Sequence, residues 1–597
     1  MRLRRSILVL LPLLAAASVP FVISSCTGDD TLLNNNGVDA TTDHAADVQA
    51  DAASPVKVQI LGINDFHGNL DPPVGSGGII PAAPGDPEIG PDAGAKPRDG
   101  GTINDVPAGG AAYLAAHIAK LKAANPNTAI VSSGDLTGAS PLVSALFHDE
   151  PAVHVMNAIG LDFNGVGNHE FDHGVPELRR LQYGGCHPDE CAGGAADYPG
   201  ASFQYLAANV DVAKDKTVFP PYAIKDFGSV KVAFIGMTLK DTPSVTIPSA
   251  IAGLTFDDEV ATVNALLPEI KKENVSAIVV LLHQGNIPTD GTTYDGCGIN
   301  SGVIADIATK LDPAIDVVLS AHSHQPYNCT LGGKLVTSAA SFGRVVTQIE
   351  LTIDPAQHKV TAKTAKNHAV TRDIAPDPTV QGIVAKYTEL AAPRANKVIG
   401  RITGPLTRVQ SGESNLGDVI ADAMLAAAQK PGLLAKVAFM NPGGIRSDIP
   451  CAANDCSASK PSPVTYAQAF TSQPFGNYLV TMTLTGAQIR DILQQQFNVT
   501  PARFLQVAGI KYTYTGTTVD VSSIQIAGAA MVLDQSYRVV TNNFVAAGGD
   551  GFTVFKQGTE VTNAGPDGTI VDIDALTAYL TAHDPLTPPT LDRIVKR

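Results

Sequence analysis

Tryptophan is absent from the 597 residues, and that absence decides nothing. The shortage of basic charge decides more: 41 Lys and Arg stand against 57 Asp and Glu, for a formal charge of −16. An acidic surface argues against a nucleic acid polymer or an anionic membrane as the main partner. It leaves room for a small anionic substrate met locally by metals and a few arginines. Cysteines number seven, and none lies in the polar clusters described below, which argues against a thiolate metal centre. The chain has no internal repeat and no low-complexity core. Its N-terminal apolar run, Ile7–Ile23, is interrupted by Pro12 and Pro20 and is too broken for a membrane span. With 44% hydrophobic and 16% charged residues, the chain can support two or three globular units.

Arg2, Arg4 and Arg5 precede that apolar run, so residues 1–25 are predicted to be a secretory signal. Its end, Ile23-Ser24-Ser25-Cys26, resembles a bacterial lipobox. Cys26 is then expected to carry a lipid and anchor the mature chain to the outer face of a membrane, in the periplasm or at the cell surface. Removing the signal takes away three arginines and no acid, which moves the formal charge to −19. Residues 26–55 carry six aspartates without Lys or Arg and read as a solvated tether. The other six cysteines fall into local pairs, Cys186 with Cys191, Cys297 with Cys329 and Cys451 with Cys456. In an exported chain these are expected disulfides.

Five short polar segments each follow a short apolar run. They are Asn64-Asp65-Phe66-His67-Gly68, Gly134-Asp135, Gly167-Asn168-His169-Glu170-Phe171-Asp172, Leu282-His283-Gln284 and Ala321-His322-Ser323-His324. The runs before them, VQILGI, AIVSS, FNGV, AIVVLL and DVVLSA, read as buried strands. Helical stretches at 111–124, 152–159 and 258–272 alternate with the strands, which predicts α/β layering. In such sheets, active sites lie at strand carboxyl ends. A Gly/Pro/Asp-rich segment, 72–110, reads as a surface insertion without periodicity. A helical pattern over 380–392, ended by Pro393, reads as a linker.

The clusters supply Asp, Asn and His, the donors of a two-metal hydrolytic centre. Two divalent ions about 3.5–4 Å apart activate a water and clamp a phosphoryl group. Asp135 is the natural bridging carboxylate. Asp65 and His67 can hold one ion, Asn168 and His283 the other, and His322 and His324 can be divided between them. N/O donors suit Zn, Mn, Co or Fe alike. His169 and Asp172 stand apart as a pair in which the carboxylate orients the imidazole and supports its charge.

A second unit begins near Lys397, with a helix over 416–429 and strand-like runs at 436–440, 478–484, 509–514 and 537–541. In Asn441-Pro442-Gly443-Gly444-Ile445-Arg446 the glycines admit a ligand and Arg446 can fork onto phosphate or carboxylate. Phe475 and Phe544, on separate loops, can clamp a flat ring between them.

These motifs resemble those of the calcineurin-like metallophosphoesterases, and more closely the bacterial and ecto-5′-nucleotidases, from about residue 56 to 596. The resemblance implies a four-layer αββα sandwich over 56–376, a linker helix over 377–396 and an α+β substrate domain over 397–597. It implies one metal on Asp65, His67, Asp135 and His324, another on Asp135, Asn168, His283 and His322, and a catalytic dyad of His169 and Asp172. It also implies that Phe475 and Phe544 stack a nucleobase and that Asp550 holds the ribose hydroxyls. Asn441 and Arg446 would then approach the base-proximal and phosphate groups. Interdomain rotation is expected. Two positions depart from the family pattern. Pro442 replaces a glycine and removes a backbone donor. Gly412 precedes Glu413-Ser414-Asn415 where relatives carry an arginine, and Arg408 is the nearest arginine.

The expected activity is hydrolysis of nucleoside 5′-monophosphates by a monomeric, extracytoplasmic enzyme. UDP-sugar or NAD diphosphatase and 2′,3′-cyclic-nucleotide phosphodiesterase activities are the alternatives. An inactive surface-binding protein and a sulfur-ester hydrolase are weaker ones.

Overall fold

Five strands carry the polar clusters: Val56–Ile63 (β1), Thr128–Ser132 (β2), Phe163–Gly165 (β3), Ala277–His283 (β4) and Val317–Ser320 (β5). A computed structural model describes residues 54–98, 101–187, 198–214, 216–289, 291–409, 411–430, 433–452, 455–499, 501–563 and 570–597. The expected signal, Cys26 and Cys191 lie outside the described residues.

Two six-stranded sheets hold the five strands. One runs Lys359–Ala369, Val345–Asp354, β1, β2, β3, Gln204–Leu206; the other runs Tyr222–Asp226, Lys231–Thr238, β4, β5, Lys334–Ala339, Pro326–Leu331. β1, β2 and β3 are mutually parallel, as are β4 and β5. Val58, Ile60, Val131, Phe234, Val279 and Leu281 fill the space between the sheets. These strands are buried on both faces, which is why they read as continuous apolar runs. Helices Ala111–Lys122 and Glu150–Ile159 cover the outer face of the first sheet, and Glu259–Ile270 and Val303–Lys310 that of the second. The result is the αββα sandwich.

The 72–110 insertion is more ordered than its sequence suggests. It forms a small sheet of Ile79–Ala82, Lys96–Pro97 and Asn104–Pro107, with Ile80 and Val106 fully buried beside Tyr294 and Ala339. Strands of two to four residues are too short to show a period of two.

The helix after the sandwich spans Pro378–Ala395 and is capped by Asp377, whose side chain accepts the N–H groups of Thr379 and Val380. Pro393 lies inside its last turn rather than ending it. Its Tyr387 and Ala391 pack with Leu142 and Phe147 from one side and Tyr466 and Phe470 from the other. This apolar seam joins the sandwich to the C-terminal elements.

Those elements are led by helix Asn415–Ala427 and a five-stranded sheet of Gln506–Ala508, Val437–Met440, Ser536–Asn542, Leu479–Thr485 and Thr559–Asn563. Cys297 is bonded to Cys329 and Cys451 to Cys456. Cys186 is also in a disulfide. Among the described residues, no helix is long and apolar enough to cross a membrane.

Candidate metal centre

Backbone hydrogen bonds continue past the strand ends and bring the first two clusters into register. Asp65 N–H donates to Gly134 O, and His67 N–H to Asp135 O, each at 2.9 Å. Five of the expected donors, Asp65, His67, Asp135, His322 and His324, have φ between 48° and 67°. Left-handed backbone is uncommon outside glycine and costs energy, and it concentrates at functional sites. No sequence signal reveals it at the three histidines. Gly167 shows how tightly the loops meet, since a Cβ there would lie 2.2 Å from Asp135 Oδ1.

Two donor groups result, Asp65 with His67 and His324, and Asp135 with His283 and His322; the ligating atoms in each lie within 4.8 Å of one another. His67 Nδ1 lies 2.8 Å from Gly138 O, and His283 Nδ1 lies 2.8 Å from Ser133 O. A carbonyl can only accept, so both Nδ1 atoms carry hydrogen and both Nε2 lone pairs point inward. His67 Nε2 faces His324 Nε2 at 3.1 Å, and His283 Nε2 faces Asp135 Oδ2 at 3.0 Å. Asp135 Oδ2, His283 Nε2 and Asn168 Oδ1 are buried without a hydrogen-bond partner. Buried acceptors turned toward one another form a site that a cation would satisfy. The set of N and O donors fits two divalent ions.

Burial holds the His67 and His324 imidazoles well below their ordinary range and takes His322 down to about 3, so all three offer neutral nitrogens. His283 and His169 behave differently. At His283 burial opposes the charge, but Asp135 outweighs it and raises the imidazole to about 9. At His169 burial again opposes the charge, but Asp172 and then Asp135 outweigh that and raise it. Its Nδ1 lies 2.8 Å from Asp172 Oδ2, and its backbone N–H donates to Asp135 Oδ1 at 2.9 Å.

Glu170, which has no assigned role in its sequence motif, ties the second loop to the third. Its buried carboxylate accepts the backbone N–H groups of Asp135 at 2.9 Å, Leu136 at 2.7 Å and Gly167 at 2.7 Å.

The C-terminal elements reach this centre. The Phe475 ring stacks on His169 with centroids 5.6 Å apart, and the Arg446 guanidinium lies 5.8 Å from the Phe475 centroid. Arg446 Nη2 is buried and unbonded. Burial, and then the neighbouring charge of Arg408, lower its pKa, while Asp135, Asp172 and Asp65 act on it in the opposite sense. Arg408 thus lies close enough to Arg446 for their charges to interact. Asp550, at φ 55°, accepts hydrogen bonds from Asn441 at 2.8 Å and Arg503 at 3.0 Å. Phe544 lies against Gly549, where an added Cβ would meet its ring at 2.4 Å.

The calcineurin-like phosphoesterase profile matches residues 58–326, and the 5′-nucleotidase C-terminal domain profile matches residues 398–557. The chain belongs to the calcineurin-like phosphoesterases with a 5′-nucleotidase C-terminal domain. It is 34% identical over 559 residues to the cell wall protein Lmo0130 of Listeria monocytogenes, covering 86% of this chain and 66% of that protein. It is 33% identical over 498 residues to the endonuclease YhcR of Bacillus subtilis, covering 82% of this chain and 37% of that one. The chain therefore spans less than two thirds of both relatives. Among solved structures, a 5′-nucleotidase precursor from Thermus thermophilus superposes with a TM-score of 0.70 at 26% identity, over 91% of this chain and 99% of that one. The calcineurin-like phosphoesterase match covers the loops that carry both donor groups, and the two groups accommodate a pair of divalent ions.

Proposed function

We propose that this chain is an exported 5′-nucleotidase, anchored through a lipid on Cys26 and acting as a monomer, that hydrolyses nucleoside 5′-monophosphates to nucleoside and phosphate. The observation that carries this reading is the stacking of Phe475 on His169, 5.6 Å between centroids, because it puts an aromatic side chain from the C-terminal unit against the proposed dyad.

Asp65, His67, Asp135 and His324 would hold one ion, and Asp135, Asn168, His283 and His322 the other. When bound, two such ions supply an activated water and neutralise phosphoryl charge. Arg446, with a buried N–H unpaired, forks onto the phosphoryl oxygens. His169, whose pKa Asp172 raises against burial, donates a proton to the leaving ribose oxygen. Phe475 and Phe544 stack the base, Asn441 lies beside it and Asp550 takes the ribose hydroxyls. Phe475 rests on His169 in this structure, so base stacking requires the C-terminal unit to turn about the Pro378–Ala395 helix.

The same groups accommodate a nucleotide diphosphate or a 2′,3′-cyclic nucleotide, and product analysis separates these. Purified protein supplied with Zn²⁺, Mn²⁺ or Co²⁺ is expected to release phosphate from AMP and UMP. Chromatography of products from UDP-glucose, NAD and 2′,3′-cyclic AMP ranks the alternatives. Failure to release phosphate from any of these overturns the reading.

A further inference from the structure

Arg503 belongs to none of the motifs, yet the fold spends several contacts on placing it. Its backbone N–H donates to Gln496 O at 2.9 Å, and the Gln496 side chain accepts Leu505 N–H, also at 2.9 Å. Between them, Phe504 is only 4% exposed in the C-terminal core. The backbone is therefore held at Arg503 and over the two residues that follow it. The Arg503 side chain ends on Asp550, with Nη1 donating to Oδ1 at 3.0 Å. The other carboxylate oxygen is set by a relay. Asn542 Nδ2 donates to Asn441 Oδ1 at 3.0 Å, which fixes the amide so that Asn441 Nδ2 donates to Asp550 Oδ2 at 2.8 Å.

Each Asp550 oxygen thus accepts one protein hydrogen bond. A carboxylate offers about four acceptor positions, so one lone pair on each oxygen remains for a ligand. Two donors, one on each oxygen, hold the carboxylate against rotation. A vicinal diol, which presents two O–H donors side by side, is the ligand that such a fixed carboxylate recognises. The turn Thr242–Val245 packs on Gly549–Gly551, which keeps Asp550 beside the sandwich.

We propose that Arg503 is a positioning residue that fixes the Asp550 carboxylate to receive the ribose diol, and so sets the preference of the enzyme for ribonucleotides over nucleotides lacking both sugar hydroxyls. This inference rests on the nucleotidase reading above. A guanidinium already paired with Asp550 is not the free cation that a second phosphate group needs, and this favours positioning over direct anion binding.

The test compares kcat/KM for AMP and for 2′,3′-dideoxy-AMP in the full chain, in wild type, Arg503→Gln and Arg503→Lys, with equal thermal midpoints as the check on folding. Wild type is expected to favour AMP by at least about tenfold, the effect of one hydrogen bond to a charged group. Arg503→Gln should bring the ratio toward one, mainly by raising KM for AMP, and Arg503→Lys should restore part of it. An unmoved ratio, or an equal loss on both substrates, overturns the inference while leaving the nucleotidase reading intact. A selective loss of 2′,3′-cyclic AMP hydrolysis also overturns it, because Arg503 would then be a phosphate contact. No AMP hydrolysis by wild type overturns the nucleotidase reading and this inference together.

Discussion

The carboxylate of Glu170 holds the backbone N–H of Asp135 at 2.9 Å, and so sets the position of the residue whose Oδ2 lies 3.6 Å from His67 Nε2 and 3.0 Å from His283 Nε2. Glu170 also accepts Leu136 and Gly167 N–H groups. Glu170→Ala leaves three buried N–H groups unpaired, at about 1–3 kcal/mol each. The variant is expected to melt several degrees lower and to bind less metal, with Glu170→Gln intermediate. Thermal melts and elemental analysis of the purified proteins check this.

His169 and Asp172 are 2.8 Å apart and lie outside both donor groups. His169→Ala should lower kcat by about 10²–10⁴, the usual contribution of a positioned proton donor. Metal content should stay at the wild-type value. Steady-state kinetics with elemental analysis on the same sample separate loss of proton transfer from loss of metal, and unchanged turnover removes His169 from the chemistry.

Phe475→Ala should raise KM for AMP in line with the loss of about 1–3 kcal/mol of base stacking. Hydrolysis of p-nitrophenyl phosphate, which has no base, reports whether the effect is confined to nucleotides. Equal loss on both substrates assigns Phe475 to packing on His169 instead.

Asp572 is buried at the start of helix Asp572–Ala582, and burial raises its carboxyl from 3.8 to about 8. The folded chain keeps this proton after the unfolded chain has lost it, so the folded state binds more protons between pH 4 and 8. Wild-type stability contributed by this group therefore falls as pH rises through that window. Asp572→Asn, which cannot ionise, should gain thermal stability relative to wild type from pH 5 to pH 8. Melting curves at the two pH values decide it.

The five strand-end clusters were legible because strands buried on both faces leave unbroken apolar runs, and each run stops at residues able to bind metal. The Asp65-x-His67 and His322-x-His324 spacings, and the Gly167–Asp172 motif, stood out for the same reason. Arg503 and Glu170 were not legible in role. Arg503 acts across 47 positions of sequence on Asp550, and Glu170 acts through backbone N–H groups that any residue supplies. Pro393 misled because a proline in the last turn of a helix resembles its stop signal. The 72–110 insertion hid its strands behind their shortness.

Residue type and local periodicity determined the layers, the order of the elements and the chemical character of the donors, since these are properties of short stretches of chain. Tertiary structure decided which nitrogen of His67 and His283 points inward, which donors share a group, and that Phe475 rests on His169. Those outcomes depend on hydrogen bonds and stacking between loops far apart in sequence, and such contacts exist only after the sheets have packed.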